Sequence, residues 1–134
     1  MATALLYCAV LEDELEALAE GIRWVKMPQG LHNDPPKLRR EVQARIDEIE
    51  LDPSVDAIVL GYGLCSRGTE GLMARHSLLV LPRAHDCITL LLGSKEAYSH
   101  QVATCPGTYW YSPGWNRHHL PPGEERYQTL LAQY

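Results

Sequence analysis

The chain lacks the features that mark several large classes of protein. It has 134 residues and no phenylalanine, and its apolar runs, such as residues 78–81 and 88–92, are short. A membrane span requires roughly 18 consecutive apolar residues, so we do not expect the chain to cross a bilayer. The amino terminus also has no basic stretch of the kind that opens a secretory signal. These absences favour a cytoplasmic protein.

Basic residues are outnumbered, since 12 Lys and Arg stand against 17 Asp and Glu and the formal net charge is −5. No segment combines several basic side chains with aromatic ones, so nucleic acid is not an expected partner. The chain has four cysteines. Because a domain of this length can bury a sufficient core without disulfides, and because the cytoplasm is reducing, we expect all of them to be thiols.

Short apolar runs alternate along the chain with segments of helical periodicity. Residues 4–10 are apolar throughout, which is typical of a strand buried on both faces. Further strands are predicted at residues 22–27, 57–60 and 78–81. Strands separated by long crossovers form parallel sheets with helices on their faces. The sequence therefore predicts a single three-layer α/β domain over residues 1–134, with a mostly parallel sheet and a Rossmann-like or flavodoxin-like outline.

The clearest predicted helix begins after Asp34, where two prolines follow a good capping residue. An apolar side chain then recurs every three or four residues through Leu51, as in a helix with one buried face. Asp86 and Ser94 have the chemistry of helix caps for two shorter helices. Helices are predicted at residues 12–20, 34–51, 87–92, 95–103 and 123–134, and the aromatic residues 108–111 are predicted to form a short strand.

Three cysteines follow predicted strands: Cys8 ends the first, Cys65 follows the third and Cys87 follows the fourth. The carboxyl ends of parallel strands meet at one edge of a sheet, where ligands bind in folds of this kind. His32 and His85 follow strands at the same edge. Thiolate and imidazole groups bind soft and borderline metals, so we predict a metal site of Cys8, Cys65 and Cys87 with His85 as a fourth ligand.

Other interpretations of the same residues stay open. Cysteine is also a favoured small core residue, and the chain has no Cys-x-x-Cys pattern. Cys105 precedes a Pro-Gly turn and is expected to be a bystander. The glycines at 61, 63 and 68 follow a strand but match neither the dinucleotide fingerprint nor the P-loop. The aromatic residues between 109 and 115 suit either a pocket wall or the core.

Asp86 lies between His85 and Cys87 and fits two roles. It suits a general base or a group that orients a ligand histidine, and it equally suits the N-cap of the helix that follows. Arg83 is our candidate for binding an anionic group of a substrate. The same His and Asp side chains could activate Cys87 as a nucleophile, which would make the protein a metal-free cysteine hydrolase or transferase.

Several segments together resemble the domain of unknown function 1638 family. The most distinctive are Tyr-Gly-Leu-Cys at residues 62–65 and Pro-Arg-Ala-His-Asp-Cys-Ile at residues 82–88. No settled activity comes with this family. The resemblance implies a small prokaryotic protein, often found in the setting of corrinoid-dependent one-carbon metabolism, and it implies that Cys8, Cys65 and Cys87 act as a set.

Two alternative kinds of metal centre are compatible with three cysteine ligands. Zinc would keep an open position where a substrate thiol loses its proton, and His85 and Cys87 with the distant Cys65 are similar to the ligands of zinc enzymes that methylate thiols. A [4Fe–4S] cluster would keep an open iron, as in desulfidases and dehydratases. Both suggest a transferase or lyase acting on a small molecule or with a corrinoid protein. A non-enzymatic accessory protein that stores or delivers the metal is the alternative, and the oligomeric state is not indicated.

Overall fold

The computed structural model describes residues 2–17, 20–28, 30–65, 67–118 and 123–133, with the backbone alone at residues 32, 117 and 118. A single sheet of four parallel strands, in the order β2-β1-β3-β4, is flanked by helices. The predicted α/β fold is therefore confirmed. The strands are β1 (Ala2–Cys8), β2 (Arg23–Met27), β3 (Val55–Gly61) and β4 (Leu78–Val80).

The described helices include the five predicted ones and one more, at residues 113–118, that was not predicted. They are α1 (Glu12–Glu16), α2 (Pro35–Ile49), α3 (Cys87–Leu92), α4 (Lys95–Thr104), α5 (Pro113–His118) and α6 (Glu124–Leu131). Short 3-10 turns occur at Ala9–Leu11 and Leu31–Asn33. Within the described ranges, every helix is too short or too polar to reach across a bilayer.

The core lies mainly between α2 and the sheet. The apolar stripe of α2 is fully buried against alternate residues of β1, because side chains two apart on a strand share a face. Leu6 and Cys8 belong to this face, whereas Leu5 and Tyr7 are buried on the opposite face. Burial on both faces explains why the first strand is apolar throughout. The buried stripe of α2 consists of Leu38, Val42, Ile46 and Ile49.

The predicted helix caps are confirmed. The Asp34 carboxylate accepts a hydrogen bond from the backbone N–H of Lys37 at 3.2 Å, and proline occupies the first helical turn. The Asp86 carboxylate accepts from the backbone N–H of Thr89 at 2.9 Å. The Ser94 hydroxyl accepts from the backbone N–H of Ala97 at 3.0 Å. Each cap satisfies a donor that the helix itself leaves unpaired.

Besides the additional helix at residues 113–118, the structure differs from the prediction at three places. Residues 9–10 leave the strand for a 3-10 turn, because the neighbouring strands end opposite Tyr7 and Cys8. Helix α1 ends at Glu16, earlier than predicted. Residues 108–111 form no strand, since the described sheet ends at β2 and β4 and gives them no partner. They line a cavity instead.

Glu50 ties the end of α2 to the segment before β4. Its carboxylate accepts hydrogen bonds from the backbone N–H groups of Arg75, His76 and Ser77 at 2.9 to 3.1 Å. The side chain is only 6% exposed. The bonds from Arg75 and Ser77 lower the pKa of Glu50 to about 2, because they stabilise its charged form.

Glu50→Gln is expected to lower the free energy of unfolding at pH 7 by about 2 kcal/mol, since three charge-assisted hydrogen bonds become neutral or are lost. A depressed pKa stabilises the fold above the ordinary value of 4.5, and this stabilisation declines as the pH falls towards about 2. Urea unfolding at pH 7 and at pH 3 measures both effects.

The matched control is Glu48→Gln, because Glu48 is an exposed partner of Arg45 in an ion pair within the same helix. This control should change the unfolding free energy by less than about 0.5 kcal/mol. Equal stability of the Glu50 and Glu48 variants at pH 7 would contradict the role assigned to Glu50.

Candidate functional site

The candidate site lies where the strands end, at the carboxyl edge of the sheet. Cys8 is the last residue of β1, Cys65 lies in the loop after β3, and Cys87 is the first residue of α3. Two backbone hydrogen bonds join the loop after β3 to the loop after β4. The N–H of Leu64 donates to the Ala84 carbonyl at 2.7 Å, and the N–H of Cys65 donates to the His85 carbonyl at 2.9 Å. This pairing brings Cys65 to Cys87.

Gly63 allows these two loops to approach so closely. A Cβ atom at residue 63 would lie only 2.6 Å from the backbone N and Cα of Asp86. The Thr69 hydroxyl is buried and donates to the Gly63 carbonyl at 3.1 Å, which holds the loop from its other side. Cys65 itself has a φ of +49°, in the left-handed region that few side chains adopt. The loop conformation is therefore imposed by its tertiary contacts.

The three cysteines lie near one another at this edge of the sheet, and Cys87 interacts with both of the others. Cys8 and Cys65 are 3% and 6% exposed, whereas Cys87 is half-buried. Cys8 and Cys65 each lie near Cys87 and interact with it. The proximity of Cys87, followed by burial, raises the pKa of both the Cys8 and the Cys65 thiol, because both effects disfavour the charged form. Cys8 and Cys65 therefore stay protonated at neutral pH.

Tyr62 completes this thiol cluster, which consists of Cys8, Tyr62, Cys65 and Cys87. Its ring is buried in the core beside β1. The hydroxyl has no oxygen or nitrogen partner within the described ranges and lies against the Cys8 thiol. Burial, followed by the nearby cysteines, raises the pKa of Tyr62, so the phenol keeps its proton. The sequence did not single out Tyr62, although it stands two residues after a strand and three before Cys65.

The arrangement of the cluster is not that of a preformed metal centre. Among the residues that the structure describes, no group of three or more His, Cys, Asp or Glu side chains is placed so that it could hold a metal ion. Cys87 lies near both of the other cysteines, which also interact with each other. The predicted convergence of the cysteines is observed. Their role as metal ligands stays a prediction.

The polar residues predicted beside the cysteines have other partners. The His85 ring lies near Thr89, with Nδ1 3.3 Å from the hydroxyl, and near Asp86, with Nε2 3.3 Å from a carboxylate oxygen. Asp86 is the N-cap of α3, which is one of the two roles predicted for it. Arg83 is exposed and does not line the cavity described below. The predicted roles of His85 as a ligand, of Asp86 as a base and of Arg83 as an anion binder are not tested.

Two other predicted residues lie apart from the cluster or outside the description. Cys105 follows the end of α4 and is exposed, and it does not line the cavity. This position agrees with the prediction that Cys105 is a bystander. The side chain of His32 lies outside the described residues, so its predicted place at this edge is not tested.

A cavity of about 940 Å³ opens beside the thiol cluster. Cys65 and Cys87 form part of its wall, and most of the remaining wall is apolar. Aromatic side chains of the segment before α5 cover one side, and α3 supplies aliphatic side chains on the other. This volume suits a small organic ligand. Its apolar wall includes Leu64, Ile88, Leu91, Trp110, Tyr111 and Trp115.

Helix α4 supports the aromatic side of the cavity from behind. The Tyr98 ring stacks on Trp110 with centroids 5.8 Å apart and meets the His85 ring edge-on at 4.6 Å. The Tyr111 hydroxyl accepts a hydrogen bond from Arg126 of α6 at 2.9 Å. Contacts of this kind orient the aromatic rings, so the wall is a built part of the fold.

Glu14 is a further polar residue of the cavity that sequence reasoning missed. It lies on α1, and both of its carboxylate oxygens are buried without a hydrogen-bond partner in the described ranges. Helix α5 packs closely over it, since a Cβ atom at Gly114 would lie 3.0 Å from its Oε2. Glu14 sits among several acidic residues of α1, so its sequence context carries no signal of a special role.

Fold and site together define an α/β protein with a ligand cavity that borders a cluster of three thiols and a buried tyrosine. Residues 26–133 match the model of the family described as "Protein of unknown function (DUF1638)", and the chain belongs to this family. A search of curated proteins and of solved structures gives no significant match. Cys65 and Cys87 lie within the matched residues, whereas Cys8 precedes them.

Proposed function

We propose that Cys8, Cys65 and Cys87 bind a soft metal centre that acts on a small molecule in the adjoining cavity. The observation that carries this proposal is the proximity of three cysteines from three separate segments of the chain. Thiolates select zinc, copper(I) and iron–sulfur clusters over harder metals. All four cysteines are thiols, so these three do not form a disulfide scaffold.

We propose a single ion rather than a cluster. Zinc–sulfur bonds of about 2.3 Å place two sulfurs on one tetrahedral ion roughly 3.8 Å apart. Cys87 lies near both Cys8 and Cys65, so the three side chains are candidates for one compact ligand set. The ligands of a [4Fe–4S] cluster lie farther apart. Binding requires Cys8 and Cys65, which now both approach Cys87, to turn towards one point by rotation of their side chains.

Three protein ligands would leave one position of a tetrahedral ion open. Cys65 and Cys87 line the cavity, so the open position would face a ligand bound there. An ion at this place would supply Lewis-acid chemistry, such as activation of a substrate thiol. The reaction class that follows is methyl or sulfur transfer, and a corrinoid protein stays our proposed partner. An accessible cavity of about 940 Å³ favours this interpretation over simple metal storage.

Elemental analysis and an absorption spectrum of anaerobically purified protein test this proposal. We expect about one zinc per chain and no visible absorbance. Broad visible absorbance, together with iron and sulfide in the sample, would show that the same ligands hold an iron–sulfur cluster instead of zinc. Protein that holds no stoichiometric metal, both as purified and after incubation with Zn²⁺ under reducing conditions, would overturn the proposal.

A second candidate function is a metal-free cysteine enzyme with Cys87 as its nucleophile. Cys87 is the member of the thiol cluster that is half-exposed and lines the cavity, and the protonated thiols of Cys8 and Cys65 can donate hydrogen bonds to its sulfur. Rapid alkylation of Cys87 alone by iodoacetamide, in protein without metal, would support this function. Protection of Cys87 by added Zn²⁺ would support the metal site.

A further inference from the structure

We infer that the cavity binds a small organic cation, with the positive charge of an ammonium group against Glu14 and an apolar body between the aromatic and aliphatic walls. The inference deepens the proposed function, because it names the ligand class of the same cavity. It requires no metal, however, so it can be tested separately. Its basis is a buried carboxylate, the ion pairs around it and the composition of the walls.

The Glu14 carboxylate is the first element of this site. Both of its oxygens are buried and have no hydrogen-bond partner within the described residues. A buried carboxylate without a partner is unfavourable unless a cation or a proton neutralises it. Gly114 of α5 packs close to it, since a Cβ atom at residue 114 would lie 3.0 Å from Oε2. Glu14 also lines the cavity, so an unpaired carboxyl group lies at the cavity wall.

The positively charged or chargeable side chains of the described cavity wall do not neutralise Glu14. Arg67 forms an ion pair with Glu70, with 3.1 Å between nitrogen and oxygen. The His85 ring lies 3.3 Å from Asp86. Both side chains are thus engaged with other carboxylates. Neither of these two side chains is therefore available to Glu14 in the described part of the cavity wall, so an ammonium group of a ligand would serve as its partner.

The walls have the composition expected for an organic cation. The ring faces of tryptophan and tyrosine attract ammonium groups, and Trp110, Tyr111 and Trp115 line the cavity. Leu64, Leu91 and other aliphatic side chains line the rest and suit an apolar body. A hydrated inorganic cation would find too few oxygen ligands here, since Ca²⁺ and Mg²⁺ require about six. An apolar amine or quaternary ammonium compound matches both parts of the cavity.

Benzylamine, benzyl alcohol and benzoate are suitable probes, because they share one ring but are cationic, neutral and anionic at pH 7. Quenching of tryptophan fluorescence reports their binding, since Trp110 and Trp115 line the cavity. We expect benzylamine to bind at least about tenfold more tightly than benzyl alcohol, and benzoate to bind least. Equal affinity of wild-type protein for benzylamine and benzyl alcohol would overturn the inference, whether or not any variant folds.

Glu14→Gln keeps the shape of the side chain and removes its charge. This variant should lose the preference for benzylamine while its affinity for benzyl alcohol stays the same. The control is Glu20→Gln, because Glu20 is exposed and does not line the cavity. A Glu14→Gln protein that folds and keeps the full preference would refute the role of Glu14.

Metal analysis of the same samples separates this inference from the proposed function. A preference for benzylamine in protein that binds no metal would support the cation site and would remove the metal site. If protein that holds one zinc shows no preference for benzylamine, the metal site is supported and the cation site is refuted.

Discussion

Gly63→Ala is expected to disrupt the thiol cluster while the sheet stays folded. The added Cβ atom would lie 2.6 to 2.7 Å from the N, Cα and C atoms of Asp86. These are backbone atoms, so no side-chain rotation can relieve the overlap. The loop after β3 must therefore move away from the loop after β4, and the bonds from Leu64 to Ala84 and from Cys65 to His85 are lost.

The expected size of this effect follows from overpacking and from the lost hydrogen bonds. The free energy of unfolding should fall by about 2 to 4 kcal/mol. Metal affinity should fall at least tenfold, by roughly the amount seen when residues that orient metal ligands are replaced. Far-UV circular dichroism should change little, because residue 63 lies in a loop outside the strands and helices. Denaturant unfolding and zinc titration measure the two losses.

Gly107→Ala is the matched control for this substitution. A Cβ atom at residue 107 would meet nothing within 4 Å, and its φ does not lie in the left-handed region. The control should keep wild-type stability and metal content. A Gly63→Ala protein with the same stability and zinc affinity as Gly107→Ala would show that the close contact between the two loops does not organise the site.

Cys87→Ser is expected to abolish metal retention and to have the largest effect among the cysteine substitutions. Cys87 is the residue that interacts with both Cys8 and Cys65 and also lines the cavity, so its replacement removes the ligand next to both of the others. Serine has a hydroxyl that stays protonated at neutral pH and is a poor ligand of soft metals. Zinc affinity should fall at least about a hundredfold, as measured by competition with a chromogenic chelator.

The other cysteines complete this series. Cys8→Ser and Cys65→Ser should each lose stoichiometric zinc, whereas Cys105→Ser should retain it, because Cys105 is exposed and lies away from the cavity. Cys87 is half-buried, so its serine variant should fold. The test of the metal site therefore does not depend on whether the variants at the buried residues Cys8 and Cys65 fold. Full metal content in Cys8→Ser would remove Cys8 from the ligand set.

Local patterns in the sequence were sufficient for most of the fold. The helix α2 was predictable because its cap, its prolines and its apolar stripe all act within one segment. The cap at Asp86 was predictable for the same reason. The aromatic segment at 108–111 was not, because its composition suits a strand equally well. Only the absence of a neighbouring strand within the described sheet decides that it lines a cavity.

The candidate site was predictable only in outline. Positions at strand ends indicated that Cys8, Cys65 and Cys87 would converge, since the geometry of parallel sheets is general. How closely Cys65 approaches Cys87 depends on the pairing of two loops that are far apart in sequence. His85 is close to Cys87 in sequence, but its ring nitrogens lie near Thr89 and Asp86.

The order of apolar and polar residues alone determined the parallel sheet, the main helix and the edge at which the cysteines gather. The tertiary structure decided the rest: the contact of Gly63 with Asp86, the burial of Tyr62 beside Cys8, and the isolation of Glu14 under α5. The physical reason is the range of the forces involved. Periodicity and capping act between residues a few positions apart, whereas desolvation of a thiol, a phenol or a carboxylate depends on whatever the folded chain packs around it.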